Sequence, residues 1–394
     1  MNEASRRSVL HVGKYYPPVE GGIENHVASL CSGLSAHYEV TALVFNTERG
    51  TRREVQDGVR VVRAGSLGQV FSTEIAPSFL GAFRRLRGAD IVHLHVPNPV
   101  GELACLSLPR STPLVVTYHS DVVRQKLLGR LNRVVLHRVL GRADRVIVFT
   151  RRYLESSPVL RHHADRCAII PHGIDLEEMD LTPAARQAAI RLRAEHGDRI
   201  AVFVGRLVYY KGVNVLLRAM ALVPDARLLI VGDGPMRRTL EDLCHHLGLD
   251  TRVRFLGSVP HEEKVAACHA GSFLVLPATH RSEAFGLVQV EAMAASRPII
   301  CTNIDSGVPW VNADGRTGLV VEPGDHEALA AAMRRLFGDA ELCHRFGEAA
   351  RRRAEELFSR EIMIRDSMAL YDDVISRRSP RRHAVAGPVT LQGE

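Results

Sequence analysis

Two carboxylates set around one strand-to-helix turn are the residues best placed to do chemistry. Glu283-Ala-Phe-Gly-Leu-Val-Gln-Val-Glu291 follows the apolar run Ser272-Phe-Leu-Val-Leu-Pro277. The apolar run predicts a strand, and Gly286 to Ala295, with few breakers, predicts a helix. Glu283 then stands just before the helix N-terminus and Glu291 about a turn and a half inside it. The amides around Phe285, Gly286 and Leu287 lack intrahelical partners there and lie at the positive end of the helix dipole. Such a turn can hold an anion and two sugar hydroxyls together. An N-capping acid and an ordinary surface glutamate account for the pair alone equally well.

Cations occupy an earlier turn of the same kind. Val202-Phe-Val-Gly-Arg206-Leu-Val-Tyr-Tyr-Lys211-Gly212 leaves a strand and opens a helix. Arg206 offers a planar fork for phosphate oxygens and Lys211 a point charge, a combination suited to a diphosphate. Gly232-Asp-Gly-Pro235 and Gly257-Ser-Val259-Pro260 are turns on the same rim, where backbone groups could meet a nucleotide base. In the first half of the chain, Gly21 and Gly22 separate a strand from a helix and let the backbone approach a ligand closely. Their spacing is not the GxGxxG of nicotinamide enzymes, which weighs against a dehydrogenase. Val115-Val-Thr-Tyr-His119-Ser-Asp121 sets His119 just past a strand, where ligands gather in a doubly wound sheet. His93 and His95 end near the same edge, with a structural role expected for both.

The elements that must position these residues follow from the hydrophobic pattern. Short Val/Ile/Leu strands alternate with helical stretches in two series, from Val9–Val12 to Ala168–Ile170 and from Ile200–Val204 to Gly318–Val321. Near-continuous apolar strands between helices indicate parallel sheets covered on both faces. The expected fold is α/β, with two doubly wound Rossmann-like domains facing across a cleft, and 394 residues suffice for both. We place the first domain at residues 1–175 and the second at 176–358. Pro171-His-Gly-Ile-Asp175 to Pro183 is the expected hinge.

Composition narrows the class further. No apolar run approaches a membrane span, and the N-terminus passes from polar residues into a strand without a signal-peptide core. Seven cysteines without a CxxC pair suit reduced thiols in the cytoplasm. The net charge of +7 is concentrated in two places. Residues 377–394 are expected to be a basic, disordered tail. Arg124 to Arg152 is rich in arginine and almost free of acid, with Arg130, Arg133 and Arg138 among its cations. A solvated helix face, an anionic membrane surface and a diphosphate-bearing acceptor each explain it. Aliphatic rather than aromatic interleaving disfavours nucleic acid.

Five stretches together resemble the retaining glycosyltransferases of family GT4, which have the GT-B fold. They are Pro17-Pro-Val-Glu-Gly-Gly-Ile-Glu24, Pro171-His-Gly-Ile-Asp175, Val204-Gly-Arg-Leu with Lys211-Gly212, Glu283 with Glu291, and Val321-Glu-Pro-Gly-Asp325, standing in family order. The resemblance implies that Gly21 and Gly22 close near the donor phosphates and that Arg206 and Lys211 bind the diphosphate. It implies further that Glu283 holds the donor sugar, with Phe285, Gly286 and Leu287 contributing backbone contacts. Glu291 would bond the ribose, and His119 would lie near the sugar O6 and the reacting carbon. A last helix over 359–376 would cross back onto the first domain. Two departures stand out: His172 replaces the more usual Asn, and Thr279-His-Arg-Ser282 replaces a small polar turn.

No Asp-x-Asp occurs in the sequence, so no metal or other cofactor is expected. The resemblance implies retention of stereochemistry, by front-face attack with the leaving phosphate as base. Val96-Pro-Asn-Pro99, Tyr118-His-Ser-Asp121 and Val123-Arg-Gln-Lys126 resemble the mannosyl/rhamnosyl branch that builds bacterial surface polysaccharides. GDP-mannose is therefore the favoured donor, ahead of UDP-glucose, UDP-GlcNAc and GDP-rhamnose. The expected acceptor is a glycan or a polyprenyl-diphosphate-linked sugar at the inner face of the cell membrane, where the enzyme would be cytoplasmic or peripheral. The alternatives are a UDP-sugar enzyme with a soluble acceptor and a nucleotide-sugar 2-epimerase.

Overall fold

The computed structural model describes residues 6–19, 21–70, 73–121 and 128–378. Its strands are β1 (Ser8–Val12), β2 (Glu39–Phe45), β3 (Arg52–Gln56), β4 (Val59–Ala64), β5 (Gln69–Val70), β6 (Thr73–Glu74), β7 (Ile91–Val96), β8 (Leu114–Tyr118), β9 (Arg145–Val148) and β10 (Cys167–Ile169) in the first half. The second half holds β11 (Ile200–Val204), β12 (Arg227–Val231), β13 (Val253–Gly257), β14 (Phe273–Leu276), β15 (Ile299–Thr302) and β16 (Gly318–Val321).

Two sheets result. The first runs β10-β9-β8-β7-β1-β2-β4-β3 and the second β13-β12-β11-β14-β15-β16. All of the second sheet is parallel, and so is the first except at β3. β3 pairs antiparallel with β4 at the sheet edge. The sequence reading did not include it, because Arg52-Arg-Glu-Val-Gln56 is largely polar and exposed.

In both sheets the chain leaves a central strand in one direction and later returns to pair on its other side. The reversals fall between β1 and β7 and between β11 and β14. At such a switch point the loops beyond the strand ends diverge and open a crevice. Each sheet has apolar side chains buried on both faces, as near-continuous Val/Ile/Leu strands require.

The helix Arg360–Arg378 packs on the first sheet. Met363, Leu370, Tyr371 and Val374 join the core around Val9, Val27 and Val115. It runs to Arg378 rather than stopping at 376, and Arg378 Nη2 lies 2.6 Å from Asp144 Oδ1. Arg377 and Arg378 thus belong to the helix and not to the tail, whose remaining residues, 379–394, lie outside the described residues.

Candidate active site

Sequence-selected residues surround the β11/β14 switch point. Arg206 follows β11 and is exposed. Lys211 lies in the turn Tyr209–Lys211, ahead of the helix Val213–Ala221. Its Nζ is 2.7 Å from Glu283 Oε2, which arrives on the loop after β14, and the two side chains are 13% and 11% exposed. A cation from one strand end and a carboxylate from the next thus pair with little water between them. Burial, then Glu283, raise Tyr210 to about 12, while Arg206 opposes the shift. Arg206, Tyr210 and Glu283 therefore share one electrostatic neighbourhood.

The helix Leu287–Ala294 starts where the sequence placed it. Gly286 caps it at φ 74°, and a Cβ there would lie 2.6 Å from Leu276 Cδ2 and 2.8 Å from Gln289 Nε2. The left-handed backbone is what favours glycine there, since both neighbours are ends of flexible side chains. The ring of Phe285 is buried against His172 (5.1 Å between centroids), Phe358 (5.8 Å) and Phe149 (5.9 Å).

Leu287 and Glu291 line a cavity of about 320 Å³ that also includes His26, His172 and Lys264. Lys264 Nζ lies 2.9 Å from Glu291 Oε1. Sequence reasoning missed Lys264, since no motif marks a single lysine in the helix His261–Ala270. Val259 is half-buried between β13 and that helix. Across the cavity, Gly21 caps the helix Gly22–Leu34, which carries His26.

His119 is buried just beyond β8, its amide donating to Val96 O. No hydrogen bond joins it to Glu283 among the described residues. It belongs instead to a set of buried imidazoles. His11 Nδ1 and His95 Nε2 are 3.0 Å apart, His95 Nδ1 and His119 Nε2 3.1 Å. His172 Nδ1 meets His26 Nδ1 at 2.7 Å, and the His172 ring stacks on Phe149. His93 is structural, held between Tyr371 Oη and Thr117 Oγ1 at 2.6 Å each.

Burial holds all six histidines neutral, taking His11 and His26 down to about 3 and the others well below their ordinary value. By spacing alone, His11–His93–His95 and His26–His95–His119 could hold a metal ion. Neither triplet includes Lys211, Glu283 or Glu291.

The two halves meet beside these residues. Arg281 Nη2 lies 2.8 Å from Asp121 Oδ2. Its Nη1 donates to Ser156 O at 2.6 Å and its guanidinium lies over the Tyr153 ring. Asp121 is fixed in turn by Tyr118 Oη at 2.6 Å and Ser157 Oγ at 3.0 Å. Arg281 is two residues from Glu283, and Asp121 two from His119. The unusual turn Thr279-His-Arg-Ser282 therefore supplies a bond between the units.

The basic stretch is less free than its composition suggests. Arg142 donates to Pro109 O and Thr112 O, Arg145 pairs with Asp373 at 3.2 Å, and Arg152 donates to Asn303. Arg133, Arg138 and Arg151 are exposed. Arg124 and Lys126 lie outside the described residues, and the Arg130 side chain is not described.

Comparison with known proteins accords with this arrangement. Residues 20–178 match the model for Glycosyltransferase Family 4, and residues 187–353 the model for Glycosyl transferases group 1. The chain is 33% identical to the O-antigen chain mannosyltransferase C of Escherichia coli, over 94% of this chain and 100% of that one. It is 34% identical to the D-rhamnosyltransferase WbpZ of Pseudomonas aeruginosa, over 89% and 92%. A solved sucrose-phosphate synthase from Thermosynechococcus elongatus superposes with a TM-score of 0.81 at 25% identity, covering 94% of this chain and 100% of its own. A pair of parallel-sheet units with their switch points beside one cleft is the GT-B fold, and the chain belongs to the family 4, group 1 glycosyltransferases.

Proposed function

We propose that this glycosyltransferase moves a hexose with retention and without a metal, from GDP-mannose to a glycan or a polyprenyl-diphosphate-linked acceptor. The observation that carries this reading is the Lys211–Glu283 pair beside Arg206 at the β11/β14 switch point. An entering diphosphate offers Lys211 a stronger anionic partner than one carboxylate. Lys211 turns to the phosphate oxygens with Arg206, and Glu283 is released to accept hydrogen bonds from sugar hydroxyls. The two cations and the start of the helix Leu287–Ala294 then stabilise the charge that grows on the leaving nucleoside diphosphate.

Glu291, held by Lys264, accepts from the ribose hydroxyls, and the turn at Val259 meets the base. Gly21 and Gly22 close toward the phosphates, and His119 lies beside the sugar. Residues 176–358 carry the donor in this scheme and residues 1–175 face the acceptor. Glu291 stays held by Lys264 and Glu283 is committed to sugar hydroxyls, which fits front-face attack with phosphate as base better than a carboxylate nucleophile. Closure of the units excludes water that would hydrolyse the donor.

GDP-mannose is favoured because the relatives' names specify mannosyl and rhamnosyl transfer. A UDP-sugar donor with a soluble acceptor is the second reading, its soluble acceptor supported by the likeness to sucrose-phosphate synthase, named for a soluble product. Incubation with GDP- and UDP-sugars, followed by nucleoside diphosphate release, separates them. GDP release from GDP-mannose that depends on a lipid-linked acceptor is expected, and turnover of UDP-sugars alone would reject the first reading. No described helix is long and apolar enough to cross a membrane. We place the acceptor-side contact with anionic lipid at the exposed Arg133 and Arg138. Charge reversal at both is expected to weaken binding to anionic liposomes, and unchanged binding would remove this contact.

A further inference from the structure

Three imidazoles form one hydrogen-bonded line. His11 Nδ1 meets His95 Nε2, and His95 Nδ1 meets His119 Nε2. Among the described residues, the remaining nitrogen at each end, His11 Nε2 and His119 Nδ1, is buried without a partner. This is what a neutral chain requires. Each ring has one N–H and one lone pair, so two internal bonds leave one N–H at one end and one lone pair at the other. Which end holds the proton is set by all three tautomers together.

We propose that His11 and His95 are positioning residues that fix the tautomer of His119, so that its Nδ1–H is donated to an oxygen of the bound donor. This rests on the placing of His119 beside the donor sugar. The direction follows from burial. His11 is fully buried, and an unpaired lone pair is better tolerated in a dry core than an unpaired N–H. The lone pair therefore sits at His11 Nε2 and the N–H at His119 Nδ1. His119 packs against His26 and His172 at 5.0 and 5.9 Å between ring centroids, and both of those line the cavity between the units. A metal ion suits the rings less well. Both possible triplets need His95, whose two nitrogens are already engaged by His11 and His119. The chain transfers no proton to the substrate; it orients a donor and holds it in one state.

His11→Leu and His11→Asn distinguish a chain from mere packing. Leucine fills the site without a polar group, and asparagine keeps a donor near the Nδ1 position. If His11 only packs, the leucine variant should be at least as active as the asparagine variant, because asparagine brings an amide into a dry core. The chain requires the reverse order. We expect nitrogen-15 NMR of labelled histidines to show His119 as the Nδ1–H tautomer in the native protein and in His11→Asn, and as a mixture in His11→Leu. With sugar nucleotide, His11→Leu should lose about tenfold in kcat with little change in KM, and His11→Asn should recover most of that loss.

A native Nε2–H tautomer overturns the proposal, and so does leucine matching asparagine with the tautomer unchanged. The NMR arm needs no substrate. An Nδ1–H tautomer in a protein that turns over no sugar nucleotide would therefore sink the proposed function and leave the chain intact.

Discussion

Lys211 and Glu283 come from different strand ends yet meet at 2.7 Å in a site that excludes most water. Removing one member of such a pair leaves a buried charge uncompensated. Lys211→Ala should lower kcat/KM for the donor about 100-fold, because a cation facing developing phosphate charge acts chiefly in the transition state. Steady-state kinetics check this, and a change in KM alone would assign Lys211 to ground-state binding. Lys264→Ala should act differently. It releases Glu291, which the proposed function assigns to the ribose rather than the breaking bond, so the donor KM should rise about tenfold with kcat less affected. Glu283, Arg206 and Lys211 were legible in the sequence because each sits at a turn between an apolar strand and a helix, and Glu291 because it lies in the helix that follows such a turn. Lys264 was not, since its partner is reached only when the helix His261–Ala270 packs against the helix that carries Glu291. The histidines were read singly, and nothing in their spacing revealed that strand register would line up His11, His95 and His119.

Among elements, the loops after β8 and β14 matter most, because one ion pair joins them. Arg281–Asp121 links the loop that carries His119 to the loop that carries Glu283, so in the proposed mechanism closure and catalytic geometry are set together. Arg281→Ala or Asp121→Asn should each lower kcat/KM about tenfold and raise donor hydrolysis relative to transfer, because the closed state is less populated. The exchanged pair, Arg281→Asp with Asp121→Arg, should recover part of the loss in a double-mutant cycle. Additive losses would mean that the two residues act independently. The sequence marked Arg281 as a departure from family pattern but offered no partner, because an ion pair across two domains leaves no trace in local spacing. The parallel strands were legible through their unbroken apolar runs. β3 was not, since an edge strand with exposed faces needs no such run.

At the scale of the molecule, the buried histidines make the first unit sensitive to acid. Each titrates near 6.5 when unfolded, whereas His11 and His26 are held down to about 3 in the folded state and His93, His95, His119 and His172 well below 6.5. The unfolded chain binds more protons in this window. The stability they contribute is therefore complete above pH 6.5 and is lost as pH falls toward 3, more steeply with each ring that stays neutral. The urea midpoint should fall steeply between pH 6.5 and 5, and a flat midpoint would show that the rings are not held neutral. The two-unit architecture was legible from two series of strands separated by the stretch from Pro171 to Pro183. The tie from Arg378 to Asp144 was not, as it spans most of the chain. Nucleoside diphosphate release from GDP-mannose, measured with acceptor present and a chelator in excess, tests most directly whether protein cations replace a metal in neutralising the leaving diphosphate. The account expects full turnover in the chelator and its loss in Lys211→Ala. Turnover that requires added Mg²⁺ or Mn²⁺, or that survives the loss of Lys211, would contradict it.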